Sequence, residues 1–243
     1  MPKYQSRSKL MTETDVFEWL KENRDERGIE RWQKSQGGSG PMTSYGVGLT
    51  SLRKLAKQIG KDHALARSLW QSNLFDARAL ALLIDDPKTI SIEQAEAQVD
   101  QIENGQLAHI FSSCDATLAK APFVAQLAED WIRSADPMRR RCGYGILYEL
   151  SKSKKKSAPD NDFFYAQIQH IKETYPNEIE AVNHSMGVAL MGIGMRNREL
   201  HAKALNLANQ IGLLAIETDT GQKKTFSVEE KLSHKVVLQK LGL

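Results

Sequence analysis

Cysteine is scarce in this chain of 243 residues: Cys114 and Cys142 are the full complement, with no CxxC spacing and no Cys/His cluster. Two isolated thiols exclude a disulfide framework and a cysteine-based zinc site. Both are read as reduced, half-buried thiols. His184, His201 and His234 are scattered without ligand spacing, so neither a metal nor a cofactor is expected. Long apolar runs are missing too: nothing approaches the roughly 20 residues that span a bilayer. The leading residues MPKYQSRSKLMTETD lack the apolar core of a secretory signal. A cytoplasmic protein with no membrane partner is expected. No alternating β pattern runs through the chain, and no strict sequence repeat is visible.

What is present belongs to an ordinary globular protein. The hydrophobic fraction is 41% and the charged fraction 26%, and a chain of this length buries a proper core. A net charge of +3 says little by itself. Its distribution says more: basic residues gather in Arg53 to Lys61, Arg139 to Arg141 and Lys152 to Lys156, while acidic ones dominate Asp85 to Glu103. That pattern suits a basic face on a balanced surface.

The most informative stretch runs from Tyr45 to Pro87. Leu49, Leu52, Ala56 and Ile59 recur at helical steps and leave Arg53, Lys54 and Lys57 for the other side. Gly60 is placed for a left-handed cap, and Asp62 for the N-cap of a second helix carrying Leu65, Leu69 and Trp70. Asn73 is placed to cap a third, which Pro87 stops from continuing.

Before this block, residues 1–11 read as a flexible lead-in, Thr12 as the N-cap of a helix, and GGSGPMTSYG as a flexible stretch. After it, Ser91 with Gln94 forms a capping-box signature. Asp136 and Pro137 open the helix PMRRRCGYGILYELSK as N-cap and N1. Pro176 starts a long periodic segment ending near Gly194, and Ser227 with Glu230 opens a terminal helix, VEEKLSHKVVLQKL. Residues 214–226 read as a short strand pair or an extended turn. About a dozen helices follow, each with one apolar stripe. Their spacing predicts an all-α, right-handed superhelical solenoid of HEAT- or armadillo-like repeats over residues 12–243, with a helical bundle as the alternative. No oligomeric signal is visible, and a monomer is expected.

Four fragments carry a resemblance: YGVGLTSLRKLAKQIG, LARSLWQSNLFDARALALLIDDPKTIS, RRRCGYGILYEL and ALMGIGMRNRELHAKALNLANQIG. Together they closely resemble the AlkD-like DNA alkylation repair family, over about Thr12 to Gly212. The resemblance implies a solenoid whose concave basic surface holds duplex DNA. Its active glycosylases remove cationic N-alkylated purines without turning the base into a pocket, unlike base-flipping enzymes. A carboxylate and tryptophan faces stabilise the cationic transition state there.

The same resemblance locates departures. The family's Trp-Asp-Leu-x-Asp segment falls on Gly105-Gln106-Leu107-Ala108-His109. The tryptophan position is then Gly105 and the catalytic aspartate position His109, while a second tryptophan position falls on Val188. An imidazole does not supply a carboxylate's charge. Asp100, Glu103 or Asp115 would be substitute carboxylates, and Trp70 or Trp131 substitute rings.

Arg139, Arg140 and Arg141 resemble the family's backbone-contacting arginines. Their structural alternative is a solvated helix end paired with Glu149 or Asp136. Arg53, Lys54 and Lys57 are candidate DNA contacts, although an exposed basic helix face is commonplace. Arg78 reads as an internal tether to an acidic partner, and the Lys152 to Lys156 run as a solvated loop. The leading expectation is a DNA-binding member of this family that grips duplex or branched DNA through phosphates and has little ordinary glycosylase activity. A working glycosylase with a substitute carboxylate and a protein-interaction solenoid are the alternatives.

Overall fold

In a computed structural model of the chain, the described residues are 11–35, 40–114, 116–155, 157–217 and 222–243. They form fourteen α-helices and one two-stranded sheet. The lead-in expected at 1–11 lies outside them except for Met11, which packs against the core. No helix among them is long and apolar enough to cross a membrane.

The helices are α1 (Glu13–Glu22), α2 (Glu26–Lys34), α3 (Leu49–Ile59), α4 (His63–Trp70), α5 (Phe75–Ile84), α6 (Ile92–Val99), α7 (Gly105–Ser112), α8 (Val124–Ile132) and α9 (Pro137–Lys152). Then come α10 (Asn161–Thr174), α11 (Glu180–Gly194), α12 (Arg198–Ile211), strands β1 (Leu213–Glu217) and β2 (Lys223–Ser227), α13 (Val228–Leu232) and α14 (Lys235–Leu241). Helix α5 packs on α4, α9 on α8 and α11 on both α10 and α12. Successive second helices α5, α7, α9 and α11 also touch in turn. This is the stacking of a helical-repeat solenoid, in which each pair buries its apolar stripe against its neighbours. Helix α5 is buried along nearly its whole length, with Ala77, Ala79, Leu80 and Ile84 fully enclosed.

Most helix starts follow their capping residues. Thr12, Asp62, Asp136, Asp160 and Asn197 each accept a backbone N–H with the side chain, which satisfies donors the helix itself leaves open. Other starts differ from the sequence reading. Asn73 does not cap α5: Leu74 stands at the N-cap without a side-chain bond, and Asp76 in the first turn reaches out to residues 44–47. The Asp76 carboxylate is fully buried and accepts from Ser44 Oγ and from the amides of Tyr45 and Val47, all at 2.8 Å. Those bonds fix the second half of the glycine-rich stretch, while residues 36–39 lie outside the described part. Gln94 donates to Asp85 instead of closing a capping box on Ser91.

Gly60 ends α3 with a positive φ, but its ψ of −143° is not the left-handed helical value. Pro176 lies in a 3-10 turn between α10 and α11 and does not start the long segment. The terminal helix is two short ones, because His234 caps a new start at Lys235. Strands β1 and β2 pair antiparallel from Leu213 with Ser227 to Glu217 with Lys223.

Candidate nucleic-acid interface

The three arginines at the start of α9 separate, because each residue turns the helix by about 100°. Arg139 donates to Glu96 through Nε (3.0 Å) and Nη2 (2.8 Å), and Nη2 also lies 2.8 Å from Asp100. Glu96 in turn accepts from Trp131 Nε1 at 2.6 Å. Arg140 makes a two-pronged pair with Glu178, at 2.6 and 2.8 Å, and donates Nη1 to the carbonyls of Ser134 and Ala135. Both arginines are therefore fastened to neighbouring repeats. Their partners are Glu96, Asp100 and Glu178, and not the Glu149 or Asp136 considered from sequence. Hydrogen bonds to Glu178 hold the Arg140 guanidinium above its ordinary proton affinity. Burial pushes the Glu178 carboxyl up, and the Arg140 hydrogen bonds, the Ile179 amide and the Arg140 charge together hold it below the usual carboxylate range.

Arg141 takes a different direction, toward α7. Its Nη2 lies 3.4 Å from the carbonyl of Gly105, and a Cβ on Gly105 would fall 2.5 Å from that same nitrogen. Gly105, which the resemblance aligns with a tryptophan, thus leaves the space that the guanidinium fills. One turn along α7, His109 is exposed. Its Nε2 lies 3.0 Å from Cys114 Sγ, and its Nδ1 lies 3.0 Å from Ser113 Oγ. Cys114 has a φ of 57°, a left-handed value that is costly outside glycine. Its carbonyl accepts from Arg53 Nη2 of α3 at 3.0 Å. On α11, His184 and Val188 sit four residues apart and share the half-buried face. Burial, then the charges of Arg141 and His109, hold the His184 imidazole below its ordinary proton affinity.

Arg53, His109, Arg141 and His184 therefore form a row of two guanidiniums and two imidazoles crossing α3, α7, α9 and α11. It passes over the positions that resemblance assigns to the catalytic aspartate and two tryptophans. Lys54 and Lys57 are exposed on α3. Lys152 pairs with Glu149 at 2.7 Å and lies over the Tyr148 ring, and Lys156 lies outside the described residues.

Three of the substitutes considered from sequence are otherwise engaged. Asp100 is engaged by Arg139, Asp115 is outside the described residues, and Trp70 and Trp131 are 3% and 1% exposed, too buried to present a ring face. Arg78 is indeed an internal tether, but to the carbonyls of Ser72 and Gln101 and over the Trp70 ring, with Glu103 only as a nearby charge. No group of His, Cys, Asp and Glu able to hold a metal is found among the described residues. Sequence reading missed the approach of Cys114 to His109. The signal was present in HIFSSC, where the helix ends and the chain turns back within five residues. Cys142, expected to be half-buried, is fully enclosed, and burial pushes its thiol up to about 12.

Comparison with known proteins supplies the context. The family model for "DNA alkylation repair enzyme" matches residues 16–225. An uncharacterized protein of Listeria innocua is 28% identical over 177 residues, covering 69% of this chain and 72% of the relative. An uncharacterized protein of Listeria monocytogenes is 26% identical over 176 residues, with the same two coverages. A solved structure matches with a TM-score of 0.83 and 22% identity, over 96% of this chain and 97% of the other. It represents a family of proteins related to the HEAT-like repeat DNA glycosylases with affinity for branched DNA structures.

Proposed function

The chain belongs to the DNA alkylation repair enzyme family, and from that premise we propose that it binds duplex or branched DNA through backbone phosphates without ordinary alkylpurine glycosylase activity. The observation that carries this reading is the change of side chains at three positions of the row. Where the resemblance places an aspartate and two tryptophans, the chain has His109, Gly105 filled by Arg141, and Val188. A cationic transition state gains from a carboxylate and aromatic faces, and gains nothing from a guanidinium. A phosphate gains from the guanidinium directly, by charge-assisted hydrogen bonds. The affinity for branched DNA of the proteins represented by the similar solved structure supports the same direction.

Arg141 and Arg53, with Lys54 and Lys57 beside them, are assigned the phosphate contacts. Arg139 and Arg140, with their carboxylate partners, are assigned to holding the repeats at the angle that presents the row. Contacts of this kind fix position on the DNA and read no sequence. The test has two arms. Fluorescently labelled duplex and four-way junction are titrated at rising salt, and steep weakening is expected. Release of 3-methyladenine and 7-methylguanine from methylated duplex is then followed with protein in excess, and none above the spontaneous rate is expected. Salt-insensitive binding, or release by bound protein, would sink the proposal.

A further inference from the structure

The turn between α11 and α12 is fastened in two directions, and the row uses neither. Arg196 Nη1 donates to the carbonyls of Ser151 (2.8 Å) and Ser153 (2.7 Å), its Nη2 donates to that of Pro159 (3.3 Å), and its guanidinium lies 4.6 Å from the centre of the Phe164 ring. It thus holds both ends of the loop that carries Lys154 and Lys155. Two residues on, Arg198 Nε donates to the carbonyl of Leu241 at 2.7 Å, and Nη2 to that of Gly242. Carbonyls at a helix end have no partner within the helix, and through them Arg198 holds the end of α14, which carries Lys235 and Lys240. Two basic pairs are in this way drawn to one turn. All four lysines are exposed, and none is in an ion pair among the described residues. The carboxylates around them are Glu149, Asp160, Asp162 and Glu199, with Glu229 and Glu230 on α13. Glu149 is paired with Lys152, Asp160 accepts from the Phe163 amide, Glu199 from Asn161 and Glu229 from Ser233. Together with Lys152, Lys231 and the two arginines, the four lysines outnumber these carboxylates.

Two packed helices fix where this edge lies relative to the row. Near their starts, the Arg141 charge of α9 acts on His184 of α11, and near their ends Arg196 joins one to the other. Helices α9 and α11 therefore run parallel. Arg141 and Lys152 are eleven residues apart on α9, about 16 Å of helical rise. A duplex lying along the row crosses the helices, so the edge is displaced sideways from it by that distance. We infer that this edge is a second nucleic-acid surface: Lys154, Lys155, Lys235 and Lys240 hold the phosphates of a second duplex arm of a branched DNA whose first arm lies on the row. The inference rests on the DNA-binding reading above. Exposed lysines without carboxylate partners attract phosphates by charge and read no base. A branched DNA meets both surfaces at once and gains from their linkage, whereas a single duplex on the row meets one.

The test uses the full chain with a labelled four-way junction and a labelled duplex built from two of its arms, each titrated at several salt concentrations. The native chain is expected to show a steeper salt slope on the junction than on the duplex. Lys154→Ala with Lys155→Ala, and Lys235→Ala with Lys240→Ala, are each expected to lower the junction slope by about two, at about one per lost phosphate contact, and to leave the duplex slope as it is. Lys57→Ala, beside the row, is the control that lowers both slopes. The four lysines are exposed, so thermal melts of the variants followed by circular dichroism should match that of the native chain. An unchanged junction slope overturns the inference. An equal fall on the duplex also overturns it, because the edge would then touch the same arm as the row. Failure of the native chain to bind either DNA defeats the DNA-binding reading and this inference with it, whereas binding in which only Lys57→Ala changes the slopes defeats the inference alone.

Discussion

Gly105 is the residue on which the character of the row turns. It is the first residue of α7, and its missing side chain leaves room for the Arg141 guanidinium. The near atoms are the end of a flexible side chain, so an added methyl displaces Arg141 more readily than it strains the backbone. Gly105→Ala is therefore expected to change thermal stability by less than about 1 kcal/mol while weakening DNA binding severalfold, as read by denaturation and titration of one sample. Equal affinity would mean that Arg141 does not touch phosphate. Asp76 is the opposite case, a residue whose role is internal. Asp76→Ala would orphan the amides of Tyr45 and Val47 and the Ser44 hydroxyl. At about 1 to 3 kcal/mol for an orphaned buried group, a loss of about 3 to 5 kcal/mol is expected in urea unfolding. Asp76→Asn, which keeps acceptor capacity, should lose less.

At the scale of elements, the start of α9 acts as a clasp between repeats. Arg139 reaches back to α6 through Glu96, and Arg140 reaches forward to Glu178, ahead of α11. The Glu178 side chain is 6% exposed. Arg140→Ala leaves that carboxylate buried and unpaired, and a loss of about 3 kcal/mol is expected. Glu178→Gln should cost less, and the double variant should recover part of the Arg140→Ala loss in a double-mutant cycle. The pair also sets a pH dependence. The folded value of Glu178 lies below its unfolded value, so its stabilisation is fully present above the ordinary carboxylate value of about 4.3. It is lost as pH falls through the lower folded value. Acid unfolding of Glu178→Gln should accordingly fall less steeply across that window than that of the native chain, followed by circular dichroism.

Across the whole molecule, α3, α7, α9 and α11 bring single residues from distant parts of the chain into one row: Arg53, His109, Arg141 and His184. A row of this kind meets a DNA backbone as a set of counterion-releasing contacts, and the logarithm of affinity falls by about 0.9 per phosphate for each logarithm of salt. Arg141→Ala and Lys57→Ala are each expected to lower that slope by about one. Arg139→Ala should leave the slope unchanged and lower the unfolding temperature. Slopes from binding isotherms at several salt concentrations separate the two roles, and a reduced slope for Arg139→Ala would move it into the interface.

Much of this was legible in the sequence because it is local. Apolar residues at helical steps set the elements, and side-chain oxygens at Thr12, Asp62 and Asp136 set where helices begin. Short turns between one-faced helices require stacking, which gives the solenoid. His109, Gly105 and Val188, which the resemblance aligns with an aspartate and two tryptophans, were read as residue identities alone. What the sequence did not disclose depends on contacts between residues far apart in the chain, or on where a helix stops. Three consecutive arginines look alike until Glu96, Glu178 and Gly105 each claim one. Asn73 looks like a cap until Asp76 reaches across to residues 44–47. Cys114 looks like an isolated thiol until α7 ends at Ser112 and the chain turns back onto His109. Local periodicity and capping determined the helices, and only their packing decided which charges are spent on the protein and which side chains meet in the row.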